Sequence, residues 1–379
     1  MVKKLKIKLK MTCSPIVILL CGLSLVFLPA CRISPPERVI ETVVETVVKT
    51  VEVEKVSPYS FEILKEMAMT GSYVGDPASG QSLAFANING SLPYCRLVEE
   101  SIRQEWEFAG GLDDDLLILD NMADPDIALN NAKMIYEKKP GVFLQFQADT
   151  HTNALIGKEA AGEGIYIIAV EVPVPGFPLM GIDNYGAALL AGDWAIEEAM
   201  SVYGGWENID RIIYLNSSDT GEGAELRIFG SKDAIIERFG DGGDDMAADS
   251  KAVMFDGVIT ADNGEDSIIS FLNDYPEDKN IIVFCLNDGV AEGVYGGAEK
   301  IDRWDPAGWL MVSHGLDDRG KELVRSGIID GGIAYFPERY GKYLIPAALA
   351  HMYGNPVPAY IFMENTVITA DNIDEHYPR

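Results

Sequence analysis

The sequence predicts an α/β protein built on parallel sheets. From Ser82 onward, short apolar runs alternate with amphipathic stretches of helical period, the pattern that gives βαβ units. Beyond residue 58 about 320 residues remain, enough for one large two-lobed fold or for two domains of ordinary size. Of the cysteines at 13, 21, 31, 95 and 285, only Cys95 and Cys285 lie in this body. Apolar packing, and not a disulfide framework, therefore has to hold it together, and no paired-cysteine spacing of a zinc site is present. The number of units exceeds what one small sheet holds, which leaves two lobes or a closed barrel open.

The chain begins with an export signal over residues 1–30. Lys3, Lys4, Lys6, Lys8 and Lys10 precede an apolar run from Ile16 to Phe27, and Leu28-Pro29-Ala30-Cys31 follows. A positive n-region, a short apolar h-region and small residues before a cut site are the marks of secretion. The run is shorter than the ~20 residues that a membrane-spanning helix needs. Leu28-Pro29-Ala30-Cys31 also resembles a bacterial lipobox, which implies that Cys31 is lipidated; an ordinary signal with an incidental cysteine is the alternative. Loss of residues 1–30 removes five positive charges and no negative ones, taking the net charge from −29 to −34. A body this acidic repels nucleic acid and anionic headgroups, so no nucleic-acid partner is expected.

Residues 31–58 read as a tether. Val39 to Val56 repeats Val, Thr and Glu with a period of four and no aromatic residue, and β-branched residues are poor helix formers. Extended, residues 32–58 reach ~90 Å, enough to hold a domain clear of a membrane. An oligomerising coil is less well supported, because a period of four drifts off a heptad seam.

Strands are expected at 82–87, 116–119, 142–147, 166–170, 179–182, 211–216, 280–286, 309–313 and 332–335. The helix over 96–109 aligns Val98, Ile102, Trp106 and Ala109 on one face, and that over 125–136 aligns Ala128, Leu129, Ala132 and Ile135. Helices at 185–200, 224–239, 266–275, 290–299, 321–326 and 338–353 complete the set.

In open parallel sheets, ligands bind beyond the carboxyl ends of the strands. Those ends read Asn89 to Tyr94, which includes Ser91; Gln145 to His151, which includes Asp149; and Asp183-Asn184. Farther on come Asn216 to Gly223 followed by Arg227, then Asn287-Asp288, then His314-Gly315. Amides and carboxylates meet paired hydroxyls, and an aromatic face covers an apolar side, so the set suits a neutral polyol. Gly240-Asp241-Gly242-Gly243-Asp244-Asp245 lacks the alternating acid spacing of an EF-hand and reads as a solvated turn. No Walker motif or dinucleotide fingerprint follows any strand, and neither metal nor cofactor is expected.

Several stretches resemble one family in order and spacing. They are Asn89 to Tyr94, Asp120-Asn121-Met122-Ala123-Asp124, Gly181-Ile182-Asp183-Asn184 and Glu225 to Gly230 around Arg227. Asn287 to Gly293 and Ile333-Ala334-Tyr335-Phe336-Pro337 follow. From Leu83 to its end the chain resembles the type 1 periplasmic sugar-binding proteins, the ribose- and galactose-binding family of ABC importers. The resemblance implies two doubly wound parallel-sheet lobes joined by three crossovers, near Asp183, Tyr335 and Asn355. The N-terminal lobe would be 81–183 plus 337–354, and the C-terminal lobe 184–335 plus 355–379. It implies an exported, lipid-anchored monomer, periplasmic or on the outer face of the cell membrane, that captures a sugar or polyol between its lobes without chemistry. The captured ligand would pass to an ABC permease. A DNA-binding repressor shares this fold but needs a helix-turn-helix where this chain has an export signal.

Carried over by the resemblance, Tyr94 would stack on the ligand, with Ser91 in the same loop. Asp149 would take ligand hydroxyls, Arg227 would fork onto two oxygens, and Asn287 would supply an amide. Asp183 and Asn184 would set the hinge and cap the helix after it. Two positions depart from the family pattern: Ser313-His314-Gly315 stands where an aspartate is usual, and Tyr335 where a glutamine is. His314 and Tyr335 would suit a bulkier, flatter or differently charged ligand. The residues also allow plainer roles, with Asn287 and Asp288 capping a helix and Arg227 a solvated cation. Asp149 beside His151 could be an acid–base pair, but no nucleophile accompanies it. The alternatives to a transport receptor are a sensor presenting a quorum signal or nucleoside and, further off, an exported hydrolase or isomerase.

Overall fold

Alternating strand and helix signals resolve into two separate sheets in a computed structural model, which describes residues 57–240 and 248–379. The export signal, Cys31, most of the tether and the run from Asp241 to Asp245 lie outside the described residues.

The first sheet is formed by β1 (Leu83–Asn87), β2 (Leu116–Asp120), β3 (Val142–Gln145), β4 (Ile167–Val170), β5 (Leu179–Gly181) and β11 (Tyr360–Phe362). Its order is β11-β5-β4-β3-β1-β2, and every pair is parallel. The second sheet contains β6 (Arg211–Leu215), β7 (Ala252–Phe255), β8 (Ile281–Cys285), β9 (Trp309–Gly315), β10 (Gly331–Ala334) and β12 (Thr366–Ile368). Its order is β12-β10-β9-β8-β6-β7, parallel except for the antiparallel edge strand β12. Two open sheets, not a closed barrel, are the outcome. Strands buried along their whole length, such as Leu83–Asn87 and Ile281–Cys285, are apolar without alternation because helices cover both faces.

The helices of the first lobe are α1 (Phe61–Thr70), α2 (Pro93–Phe108), α3 (Pro125–Lys138) and α4 (Thr150–Glu163). Those of the second are α5 (Asn184–Tyr203), α6 (Glu222–Phe239), α7 (Ala248–Lys251), α8 (Ala261–Asp274), α9 (Asp288–Lys300) and α10 (Asp318–Arg325). The chain then returns through a 3₁₀ turn, Pro337–Arg339, into α11 (Gly341–Met352), and closes with α12 (Ile373–His376). Proline opens α2 and α3 at the first turn, where a missing N–H costs nothing. Glycine permits the closest helix crossings. A Cβ at Gly293 of α9 would lie 1.9 Å from the Ala261 carbonyl of α8, and one at Gly341 of α11 would lie 2.2 Å from the Ser101 carbonyl of α2.

Several expectations are corrected. The third connection between the sheets runs over 363–365 and not near Asn355, because β11 pairs β5 in the first sheet before β12 joins the second. The first lobe starts earlier than residue 81: α1 packs against α11 and buries Phe61, Leu64 and Ala68, so the tether ends before this helix. The helix α4 is absent from the sequence reading, as are β7, β11 and β12.

Candidate functional site

Parallel register brings the carboxyl ends of each sheet to one line. In the first sheet Asn87 stands beside Asp120, and Val170 beside Met180, so Tyr94, Glu171 and Ile182 follow strands that end together. In the second sheet, His314 stands beside Ile333 and Gly315 beside Ala334, which places His314 and Tyr335 at one edge.

On the first lobe three side chains form a wall. Glu171 directly follows β4 and adopts φ 62°, a left-handed backbone that a non-glycine residue adopts only when its surroundings hold it there. Its Oε1 accepts a hydrogen bond from the hydroxyl of Tyr340, which is fully buried between the 3₁₀ turn and α11. The Tyr340 oxygen lies 2.6 Å from the Tyr94 hydroxyl, and the two rings meet edge to face at 6.0 Å. Tyr94 opens α2 and packs on the core; it is a helix residue and not part of a polar loop.

The second lobe supplies the opposite wall. Arg227, in α6, donates from Nε to Asn184 Oδ1 at 3.0 Å and lies 5.0 Å over the ring of Tyr335. The Tyr335 hydroxyl donates to the same Asn184 oxygen at 3.4 Å and lies 3.2 Å from His314 Nδ1. Asn184, expected at a hinge, therefore belongs to this wall. Asp183 caps α5, accepting from the Gly186 amide at 2.9 Å.

The electrostatics tie the walls together. Burial raises the Glu171 carboxyl above its usual range, opposed by the Tyr340 hydrogen bond and by the positive charge of Arg227 on the other lobe. Burial also lifts the Tyr94 phenol, with the Glu171 charge adding to it and Arg227 again opposing. His314 is pushed down to about 3 by burial and then by Arg227, so it stays a neutral imidazole at physiological pH. Tyr335 is pushed up to about 12 by burial. The cleft thus holds one carboxyl group and one guanidinium, lined by phenols and a neutral imidazole.

Arg227, His314 and Tyr335 come together on the second-lobe wall, and Tyr94 stands on the first-lobe wall. Ser91, Asp149 and Asn287 make other bonds. Ser91 binds Asn89 Oδ1 through its amide at 3.0 Å and its hydroxyl at 2.6 Å. Asp149 caps α4 by accepting from Thr152 N at 2.6 Å; the Thr152 side chain, and then this amide, hold its carboxyl below the usual range, and His151 beside it is exposed. Asn287 caps α9, accepting from Val290 N at 2.9 Å and donating to Ile259 O at 3.1 Å. Asp288 is not a cap. It is buried in the first turn of α9, where it accepts from Ser313 Oγ at 2.6 Å and Asp317 N at 2.8 Å.

Two residues of the walls escaped the sequence reading. Glu171 follows an expected strand, so the rule applied to the other strand ends points to it too. Tyr340 has no such mark, since no spacing brings residue 340 to residues 94 and 171.

Among the described residues no helix is long and apolar enough to cross a membrane. No curated protein matches the chain in sequence. Among solved structures, a periplasmic ribose ABC transporter protein from Conexibacter woesei aligns over 80% of this chain and 96% of its own, with 15% identity and a TM-score of 0.65. An arabinose binding protein from Geobacillus stearothermophilus aligns over 78% and 99%, with 15% identity and a TM-score of 0.63. An ABC transporter periplasmic solute binding protein from Actinobacillus succinogenes, with bound D-allose, aligns over 78% and 99%, with 16% identity and a TM-score of 0.62. At these identities the likeness is one of fold. Residues 84–356, most of the chain, match the sequence pattern of the periplasmic binding protein domain, and the chain belongs to that family.

Proposed function

We propose that this protein is an extracytoplasmic receptor that captures a sugar or related polyol between its two lobes and passes it to an ABC permease. The observation that carries this reading is the facing of Glu171 and Tyr94 on one lobe by Arg227 on the other. Such walls, acceptors on one side and a forked donor on the other, match vicinal hydroxyls, each of which both donates and accepts. Structures of similar fold, one with bound D-allose, one an arabinose binding protein and one a periplasmic ribose ABC transporter protein, support the ligand class. The lipobox resemblance supports anchoring through Cys31, with the monomer on the outer face of the membrane or in the periplasm.

Capture needs no bond making. The ligand drives closure by binding the closed arrangement more tightly than the open one. The crowding of Tyr94, Tyr335, Tyr340 and His314 favours a second ligand class, flat molecules such as nucleosides, presented to a sensor instead of a permease.

A thermal-shift screen of residues 57–379, which carry both sheets and their cores, tests the reading. D-ribose, L-arabinose and D-allose are compared with polyols, nucleosides and amino acids. A ligand at about 100 times its Kd adds about 2.7 kcal/mol. Arg227→Ala, which deletes a charged donor, is expected to weaken the binding by about tenfold to a hundredfold. A response to nucleosides alone moves the function to the sensor, and chemical conversion of any ligand rules the receptor out.

A further inference from the structure

The hydrogen bonds of the first-lobe wall have a direction. The Tyr340 hydroxyl donates to Glu171 Oε1, so its hydrogen is committed there. With that hydrogen used, the Tyr340 oxygen can only accept from Tyr94 across their 2.6 Å contact. The Tyr94 hydrogen is then turned inward as well. The other groups facing Glu171 are the Ile182 amide and the Tyr94 hydroxyl, both donors, and the Arg227 guanidinium across the cleft. What Glu171 and Tyr94 still have to offer is lone pairs. Their position toward the other lobe is marked by Arg227, whose charge acts on both.

We infer that Tyr340 is a positioning residue that orders the protons of this wall, so that Glu171 and Tyr94 present acceptors only and select ligands bearing hydroxyl donors on that side. The selection half rests on the sugar-binding reading; the ordering half does not. A free sugar hydroxyl meets the wall as a donor, whereas its methyl ether cannot. The chain of three groups also explains why a fully buried phenol stands at this position, since a buried hydroxyl needs partners and this one has two. Because each bond in such a chain polarises the next, loss of one member weakens its neighbours.

The test uses the full-length protein in detergent, labelled with carboxyl-¹³C glutamate. The Glu171 signal is identified by its disappearance in Glu171→Gln, and its titration is followed in wild type and in Tyr340→Phe, which keeps the ring and its packing. Loss of the donated hydrogen bond is expected to move the Glu171 midpoint upward, a shift that a merely structural tyrosine would not produce. An unmoved or lowered midpoint overturns the ordering. Should Tyr340→Phe fail to fold, Tyr94→Phe takes its place, with a smaller upward shift expected and an unmoved midpoint again overturning it. Calorimetry with D-ribose, D-allose and their mono-O-methyl ethers reads the selection. Wild type is expected to prefer a free sugar over at least one ether by about tenfold, and Tyr340→Phe, which releases the Tyr94 hydrogen, to lose most of that preference. Equal preference in both proteins overturns the selection. If no sugar binds while the midpoint shifts, the sugar reading falls and with it the selection, and the ordering stands; if sugars bind and the midpoint does not shift, the sugar reading stands and the ordering falls, and with it the selection that follows from it.

Discussion

Asp288 takes the two bonds that tie α9 to the end of β9 and to the start of α10, and it does so out of reach of water. Burial lifts its carboxyl to about 7. In the unfolded chain the same group titrates near ~3.9. A raised folded value means that the folded protein holds a proton that the unfolded chain has released. The stabilising contribution is therefore complete below about pH 4 and is lost as pH rises toward about 7. A shift of this size corresponds to at most about 4 kcal/mol. Asp330, lifted to about 6 by burial, adds to the same limb. Asp288→Asn, which cannot ionise, is expected to reduce the decline of Tm between about pH 4 and pH 7 without abolishing it. A variant that keeps the wild-type slope would show that Asp288 is not the group responsible. The sequence placed Asn287 at a helix start, but its dipeptide gave no means of telling the cap from the buried partner. That difference comes from Ser313 and Asp317, which only the fold brings to Asp288.

At the scale of elements, small residues decide how closely helices approach. In α9, Gly293 faces the backbone of α8 while Gly296 faces open space. Gly293→Ala is expected to cost several kcal/mol, because the obstructing atom is a carbonyl that cannot swing aside. Gly296→Ala, on the same helix, is expected to stabilise by about 0.5–1 kcal/mol through helix propensity alone. Urea denaturation of the two variants checks the contrast, and equal effects would refute the assignment of faces. Helices with one clear apolar stripe, such as α2, were legible in the sequence. The helix α4 was not, because Ala and Gly scattered round its surface leave no stripe for a period to reveal. The strands β11 and β12 have three residues each, below the length at which alternation can be read. In β11 the alternation exists nonetheless: Ile361 is buried between the exposed Tyr360 and Phe362.

For the whole molecule, periodicity announced parallel α/β units but could not divide them between one sheet and two. Order and spacing of the strand-end motifs supplied the two lobes, and pairing across the sheets supplied what spacing could not, the true position of the third connection. Three connections crossing between lobes are where the proposed closure would hinge. Small-angle scattering is expected to record a smaller radius of gyration for wild type saturated with any sugar found to bind. Arg227→Ala, lacking the second-lobe donor, should remain at the ligand-free value at the same sugar concentration.

The placement of Tyr360–Phe362 at the edge of the first sheet has a consequence for how the protein is made. A strand that belongs to the first lobe leaves the ribosome or a secretion channel only after β6 to β10 of the second. Until it arrives, β5 is an uncovered edge, a surface open to pairing with other chains. The first lobe therefore cannot finish folding as soon as its own contiguous stretch has emerged, and its closing contacts join residues far apart in sequence, which slows folding. If the chain carries the export signal expected over residues 1–30, that delay is useful, since it favours delivery in an unfolded, translocation-ready form and completion only on the far side.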